Sequence, residues 1–409
     1  MLFEGAPLVS FAIVAILGAV ATEGRLFRLF ADRAERRSGR LIGLTEFAAV
    51  ASVLAALMVL DLLPVELFAG TVLLVGFGYF GAETARLARS DRLTETTGFI
   101  TTGAVAYAVG HLAGSGITGA DPAAVGTLAM AGALTGALLR AAIWVRHDGL
   151  LMLVMAGVLG GLYMLPFPST QTVAIAIAAS IVLAYLAMLI GVASVTGMAA
   201  GVLMVFLTIV FGGLAWVTML IAFFGIGGLA TKYRYLDKRA RGVAEANRGA
   251  RGTGNVLGNT LVALVAVLGY AAVATDPTHQ LVFAFAFAGA IATALSDTLS
   301  SEIGSLYDDP ILITSFDRVA PGTDGAVTVQ GTAAGAVGAG IVAGLFVGLG
   351  PAGVVGGIVV LVAGTVGMLT DSLLGAVIEG AVIGNHGVNA AATFAGGVLA
   401  AVPVLAGVV

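Results

Sequence analysis

Asp297, Ser300 and Ser301 stand at i, i+3 and i+4 within FAGAIATALSDTLSSEIGSLYDDP, residues 287–310. That spacing puts them on one face of a helix. An ionisable group inside a membrane-length apolar run marks a functional site, because charge is costly in hydrocarbon. For a helix starting near Leu281, Asp297 lies about 24 Å along it, near the boundary of the hydrocarbon. Hard oxygen ligands of this kind, with phosphate oxygens and water, suit Mg²⁺. Asp297 and Glu302 are the candidate metal ligands. Glu302 is five residues on, about 140° round the helix, and joins only if the helix ends or bends there. Solvated acids at an interfacial helix end are the plainer alternative.

The cations that would face such a site lie in TKYRYLDKRARGVAEANRGARGTGN, residues 231–255, which holds seven of the second half's eight Lys and Arg residues. Lys232, Lys238, Arg248 and Arg251 are its candidate phosphate-binding groups. RGARGTGN (Arg248–Asn255) mixes guanidinium groups with glycines whose backbone NH groups can form an anion nest. It runs directly into the next apolar segment, whose N-terminus favours negative charge. The stretch lacks the glycine spacing and Lys-Ser/Thr pair of a P-loop. A positive-inside loop touching anionic headgroups is the competing reading. Further along, Thr314, Ser315, Asp317, Thr323 and Asp324 lie in a polar loop with a PGTDG turn, Asp371 is a second acid at a span boundary, and Asn385, His386 and Asn389 open the last apolar run.

The elements that must position these groups are membrane helices. The chain has 409 residues, 59% of them hydrophobic and 10% charged, with a mean hydropathy of +1.05. Continuous apolar runs of roughly 17 to 22 residues match the length needed to cross about 30 Å of hydrocarbon. They do not alternate as β-barrel strands do. The fold class is all-α: a polytopic membrane protein of about 12–15 transmembrane helices, with fourteen candidate spans from 7–22 to 389–408. The 59 glycines sit with alanines inside these runs and imply close helix packing. The absence of cysteine excludes disulfides, thiolate nucleophiles and Cys-ligated clusters. No His-rich metal set, Ser-His-Asp triad or redox cofactor motif is present.

MLFEG carries no basic n-region, and Arg25, Arg28, Arg33, Arg36, Arg37 and Arg40 follow the first apolar run. The N-terminus is therefore expected outside. Counting spans places Arg86, Arg89 and Arg92, then Arg140 and Arg146, then the basic stretch on one side, the cytoplasm. The 304–330 loop and Asp371 return to that same face. MLPFPSTQT (Met164–Thr172) reads as a linker, dividing an N-terminal membrane domain, 1–166, of about six spans from 167–409, of about eight.

VTGMAAG (Val195–Gly201), FFGIGGLATKYRYLDK (Phe223–Lys238), NRGARGTGNVLGN (Asn247–Asn259), SDTLSSEIG (Ser296–Gly304), LITSFDRVAPGTDGAVTVQGT (Leu312–Thr332) and TDSLLGAVIE (Thr370–Glu379) occur in this order. The series resembles the integral-membrane family that includes plastid phytyl-phosphate kinase and transmembrane protein 19, over about residues 170–409. The resemblance implies phosphoryl transfer from a nucleoside triphosphate, CTP or UTP, to an isoprenyl monophosphate. The partners implied are an isoprenoid lipid phosphate, a nucleotide and membrane lipids, and not nucleic acid. Arg248, Arg251 and Lys232 would neutralise phosphates, with Asp297 and Glu302 holding Mg²⁺. Lys238, Asn255, Asn259, Ser300, Ser301, Thr314, Ser315, Thr323, Asp371 and Asn389 complete the expected binding set. Residues 1–165 have no counterpart in this resemblance, and 380–390 fit its pattern only loosely. A polyprenol kinase or CDP-lipid cytidylyltransferase is an alternative within lipid enzymes. A transporter or flippase is the alternative of another class, although its polar groups belong near the bilayer midplane.

Overall fold

In hydrocarbon every backbone NH and carbonyl must be satisfied within the protein, so apolar runs of this length coil into helices. A computed structural model describes residues 5–24, 27, 28, 31, 33–142, 148–191, 193–245, 249–380 and 382–409. Sixteen helices lie among them: α1 (Ala6–Val20), α2 (Arg33–Ser38), α3 (Ile42–Val59), α4 (Val65–Ala88), α5 (Arg92–Ser115), α6 (Pro122–Ala142), α7 (Asp148–Tyr163), α8 (Thr170–Ile190), α9 (Val195–Gly212), α10 (Leu214–Lys232), α11 (Tyr235–Ala240), α12 (Thr253–Ala272), α13 (Pro277–Gly304), α14 (Val329–Leu349), α15 (Val354–Ile378) and α16 (Asn385–Leu405). Eleven are long and apolar enough to cross a membrane, and α1 and α7 are shorter apolar helices. All fourteen expected spans coincide with helices, α5 being the long one that falls outside the eleven. The protein is polytopic and, among the described residues, all-α apart from one short hairpin, β1 (Ile311–Leu312) paired antiparallel with β2 (Ala326–Val327).

Internal contacts divide the chain into two units, residues 1–173 and 174–409. In the first, α4 and α5 form an antiparallel pair whose short turn is closed by Asp91, which accepts from the Thr94 NH at 3.0 Å. The two backbones touch through glycine. A Cβ at Gly98 would lie 2.6 Å from the Gly81 carbonyl oxygen, and one at Gly110 2.7 Å from the Ala69 backbone. The Tyr163 hydroxyl at the end of α7 donates to Glu66 on α4 at 2.7 Å.

The second unit is built around α13, 72% of whose best apolar window is buried. Four neighbours press small residues onto it. On α14, a Cβ at Gly331 would lie 2.6 Å from the Ser300 carbonyl oxygen, and at Gly335 2.8 Å from that of Ser296. On α15, a Cβ at Gly364 would sit 2.6 Å from Ala292, and one at Gly367 2.6 Å from Thr293 Cγ2. On α16, a Cβ at Gly396 would press on Thr293 as well, while α10 packs through Gly227 beside Thr298. This is the small-residue packing that substitutes for a hydrophobic driving force between helices in lipid. It leaves α13 close enough to α10, α14, α15 and α16 for their ends to share one cavity.

Candidate functional site

A polar cavity of about 260 Å³ gathers six helix ends. Thr231 comes from the end of α10, Asn255 and Asn259 from the start of α12, and Asp297 through Glu302 from the end of α13. Thr328 caps α14, Asp371 and Ser372 come from the end of α15, and Asn385 and Asn389 from the start of α16. The acids are set in from the helix ends. Asp297 is seven residues before Gly304 and Asp371 seven before Ile378, about 10 Å, or two turns, inside.

Arg251 reaches the cavity by a rigid route. Its carbonyl accepts from the Ser194 NH at 3.0 Å, just before α9. Gly197 in the first turn of α9 allows that approach, since a Cβ there would clash with the same carbonyl oxygen. The guanidinium carbon lies 4.9 Å from the centre of the Phe223 ring, a cation–π contact. Gly227 makes room for it, since a Cβ there would lie 2.7 Å from Nη2. Burial pulls the Arg251 pKa below its ordinary value, while Glu302, Glu245 and Asp297 hold it up. Arginine remains a cation throughout the working pH range.

The carboxyls of Asp297 and Asp371 come within hydrogen-bonding reach of each other. Two ionised carboxylates that close repel, and a cation between them removes the repulsion. Seven buried side-chain polar atoms lack a partner among the described residues; four are hydroxyls and the others are Arg251 Nη1, Asn255 Oδ1 and Asp371 Oδ2. These three all belong to residues lining this one cavity. A buried donor on a cation, an amide oxygen and a carboxylate oxygen left unpaired together are what a bound anion with its counter-cation would satisfy. The first turns of α12 and α16 carry no side-chain cap, so their NH groups add positive potential at the same cavity.

One wall is the 305–328 segment. Gly325, at φ +76°, lays the hairpin against the end of α15, and a Cβ there would meet the Ser372 carbonyl oxygen at 2.6 Å. Glu379, just past α15, also lines the cavity. Burial and the neighbouring Asp324 charge push its carboxyl above the usual range, against Asn385 and His386, which pull it down.

Arg251, Asn255, Asn259, Asp297, Ser300, Ser301, Thr323, Asp371 and Asn389 of the expected set therefore meet in the cavity. Others do not. Lys238 is fully buried; its ammonium donates to Glu302 Oε2 at 2.5 Å and to the Ala230 carbonyl at 2.8 Å, which removes it from the phosphate-facing groups. Glu302 lines the cavity but pairs with Lys238, because α13 runs unbroken to Gly304 and keeps Glu302 turned from Asp297. Asp371, not Glu302, is the acid beside Asp297. Lys232 donates to the Ile190 carbonyl and lies outside the cavity. Thr314 and Ser315 sit on an exposed turn beyond β1. Arg248 lies outside the described residues. His386 wedges against Gly258 of α12, where a Cβ would lie 2.8 Å from its carbonyl oxygen.

Sequence reasoning passed over Glu379 and Phe223. Glu379 had a signal, since Asp371, Gly375 and Glu379 recur at i, i+4 and i+8. Phe223, inside an apolar run, had none.

Among the described residues no three acids or histidines cluster as a metal site. Mg²⁺ commonly takes only one or two carboxylates and completes its shell with water and substrate phosphate, so Asp297 and Asp371 with the unpaired Asp371 oxygen fit it.

A family model described as integral membrane protein DUF92 matches residues 178–397, which contain all six ordered motifs. An uncharacterized membrane protein of Synechocystis sp. is 38% identical over 130 residues, 31% of this chain and 49% of that protein. Protein VTE6, chloroplastic, of Arabidopsis thaliana is 39% identical over 143 residues, 34% of this chain and 43% of that protein. An uncharacterized membrane protein of Methanocaldococcus jannaschii is 32% identical over 213 residues, 50% of this chain and 82% of that protein. The chain thus spans about half the length or less of the first two relatives and most of the third. No solved structure matches it. With more than half of its residues inside the matched range, the chain belongs to the integral membrane protein DUF92 family.

Proposed function

We propose that the cavity transfers a phosphoryl group from a nucleoside triphosphate, CTP or UTP, to an isoprenyl monophosphate of the phytyl or geranylgeranyl type. The observation that carries this reading is the convergence of unpaired Arg251 Nη1, Asn255 Oδ1 and Asp371 Oδ2 in one cavity with Asp297. Two polyanions must be brought together, and phosphoryl transfer is catalysed chiefly by positioning and charge stabilisation. The resemblance of the ordered motifs to a family with a phytyl-phosphate kinase supports the choice of reaction, as does the likeness to the chloroplast relative.

The lipid phosphate oxygen attacks the terminal phosphorus of the nucleotide, the bond to the bridging oxygen breaks, and the nucleoside diphosphate leaves. A phosphate monoester is already anionic near neutral pH, so no side chain has to remove a proton from it. Arg251, held in place by Ser194 and Phe223, neutralises phosphate oxygens with the NH it has to spare. Asn255, Asn259 and Asn389 supply amide groups that orient phosphate oxygens and water from the helix starts. Thr323 and the rest of the hairpin wall close the nucleotide side. Asp297 and Asp371 would hold Mg²⁺, which when bound offsets the charge of the nucleotide phosphates. The site faces the cytoplasm on this reading, where the nucleotide is.

A cavity formed where six helices end, with its acids two turns inside, also favours an enzyme over a transporter, whose polar groups belong midway along the spans. The test uses purified full-length protein with Mg²⁺, geranylgeranyl phosphate and terminally labelled nucleotide. A labelled lipid diphosphate is expected, and Asp297→Asn and Arg251→Ala should each reduce it strongly in folded protein. Labelled product from geranylgeraniol but not from its phosphate would replace this reading with an alcohol kinase. Full turnover by Asp297→Asn would sink the metal assignment.

A further inference from the structure

Beside the polar cavity, the second unit carries an apolar groove of about 230 Å³ between α8, α9 and α10. On α8 the lining residues run from Leu183 to Ile190 at i, i+3, i+4 and i+7, and on α9 from Gly197 to Val205. Each stripe follows one helix face for about 10 Å. Among the described residues Arg251 is the sole charged one lining the groove, and it lines the polar cavity too. An apolar trough therefore ends at the guanidinium whose free NH faces the phosphate-binding groups.

Two further observations point to an occupant. Only 17% of α8's best apolar window is buried, the least of the eleven long spans, so its side of the groove is open to the bilayer rather than filled by protein. Glycines on the floor have no packing reason to be small. A Cβ at Gly225 would meet nothing within 4 Å, and one at Gly201 only Phe224 at 3.8 Å. This contrasts with Gly197 and Gly227, which make room for Arg251. Helices in lipid gain from close contact between small residues, and here that contact is forgone.

We infer that this groove holds the hydrocarbon chain of a lipid monophosphate, entering sideways from the bilayer past α8, with its phosphate drawn under Arg251 into the polar cavity. The inference rests on the proposed lipid-phosphate substrate and adds where the chain lies and which residues set its fit. Bulk added at Gly225 or Gly201 displaces the chain without displacing protein.

The experiment uses full-length protein in nanodiscs and geranylgeranyl monophosphate carrying a diazirine midway along its chain. After irradiation, adducts are expected on the peptides spanning 183–205 and 221–225. Unlabelled geranylgeranyl phosphate should compete, while geranylgeraniol should compete at least tenfold less well. Gly225→Trp should cut labelling at least tenfold with the unfolding midpoint unchanged, and Gly201→Leu gives a second, smaller block. Labelling elsewhere in the chain, or groove labelling unaffected by competitor and so shared with any bilayer acyl chain, would overturn the inference. Diphosphate formation is followed in parallel. Competed groove labelling with no diphosphate rejects the phosphoryl-transfer reading and keeps the groove. Diphosphate formation that Gly225→Trp and Gly201→Leu leave untouched rejects the groove and keeps the reaction.

Discussion

Replacing Lys238 by methionine separates a structural cation from a substrate-binding one. Its ammonium is fully buried and is held by Glu302 at 2.5 Å and the Ala230 carbonyl at 2.8 Å. Methionine keeps most of the side-chain volume but removes the charge and both donors. Breaking a buried pair by deleting one partner costs about 3–5 kcal/mol, because the remaining charge is stranded. The Glu302 side chain is 11% exposed, so water offers it little relief. A lost hydrogen bond to the Ala230 carbonyl adds about 1 kcal/mol. The sum, about 4–6 kcal/mol, lowers the folded-to-unfolded ratio at least about a thousandfold at 1.36 kcal/mol per decade. Reversible unfolding in mixed micelles of increasing SDS content measures it. In Lys238→Met/Glu302→Leu the stranded carboxylate is gone, and stability should return to within about 1–2 kcal/mol of the parent. Turnover per folded molecule should survive in the double variant to within about tenfold. A single variant as stable as the parent but with turnover lost would place the ammonium on substrate and refute the assignment.

Asp371→Asn should lower kcat about 100-fold or more, the effect of losing one strong electrostatic contact in a preorganised site, with the helical circular-dichroism signal intact; an unchanged kcat would remove it from the site. Gly325→Val combines a φ of +76° with a Cβ only 2.6 Å from the Ser372 carbonyl oxygen, so the hairpin should lift from α15 and limited proteolysis should cut within 305–328. The Glu379 carboxyl is raised by burial, so its protonated form is favoured in the folded state and the stability this gives is lost as pH rises through the raised value. Glu379→Gln should therefore gain stability relative to the parent between mildly acidic and neutral pH, read by unfolding midpoints; a constant difference across that range would contradict it.

The spans were legible as continuous apolar runs, of which eleven reach membrane length, while α1 and α7 are shorter and α5 falls outside that set. Much of the cavity was legible for a related reason. Asp297, Asp371 and the asparagines at 255, 259 and 389 are polar groups inside or at the lip of such runs, where polarity needs a purpose. The basic stretch was less legible. Arg234 takes a left-handed conformation at φ 49°, the chain turns there, and α11 carries Lys238 into the protein while Arg239 and Arg241 stay exposed. Nothing in the order of residues says which cation of such a run folds inward. Glu302 does line the cavity, but its pairing with Lys238 was hidden because its direction depended on where α13 stops. Phe223 illustrates a further limit, because an aromatic ring that seats a guanidinium looks the same in sequence as one that packs against lipid.

The close contact between the Thr293 side chain on α13 and Gly367 on α15 lies one turn below Asp297 and Asp371 respectively. The gauge of the carboxyl pair is thus set remotely, by a residue with no side chain at all. A methyl group at Gly367 would jack the two helices apart and widen the bite presented to an ion. If the pair holds Mg²⁺ as proposed, discrimination between a small divalent ion and a larger one would depend on this helix seam as well as on the ligands.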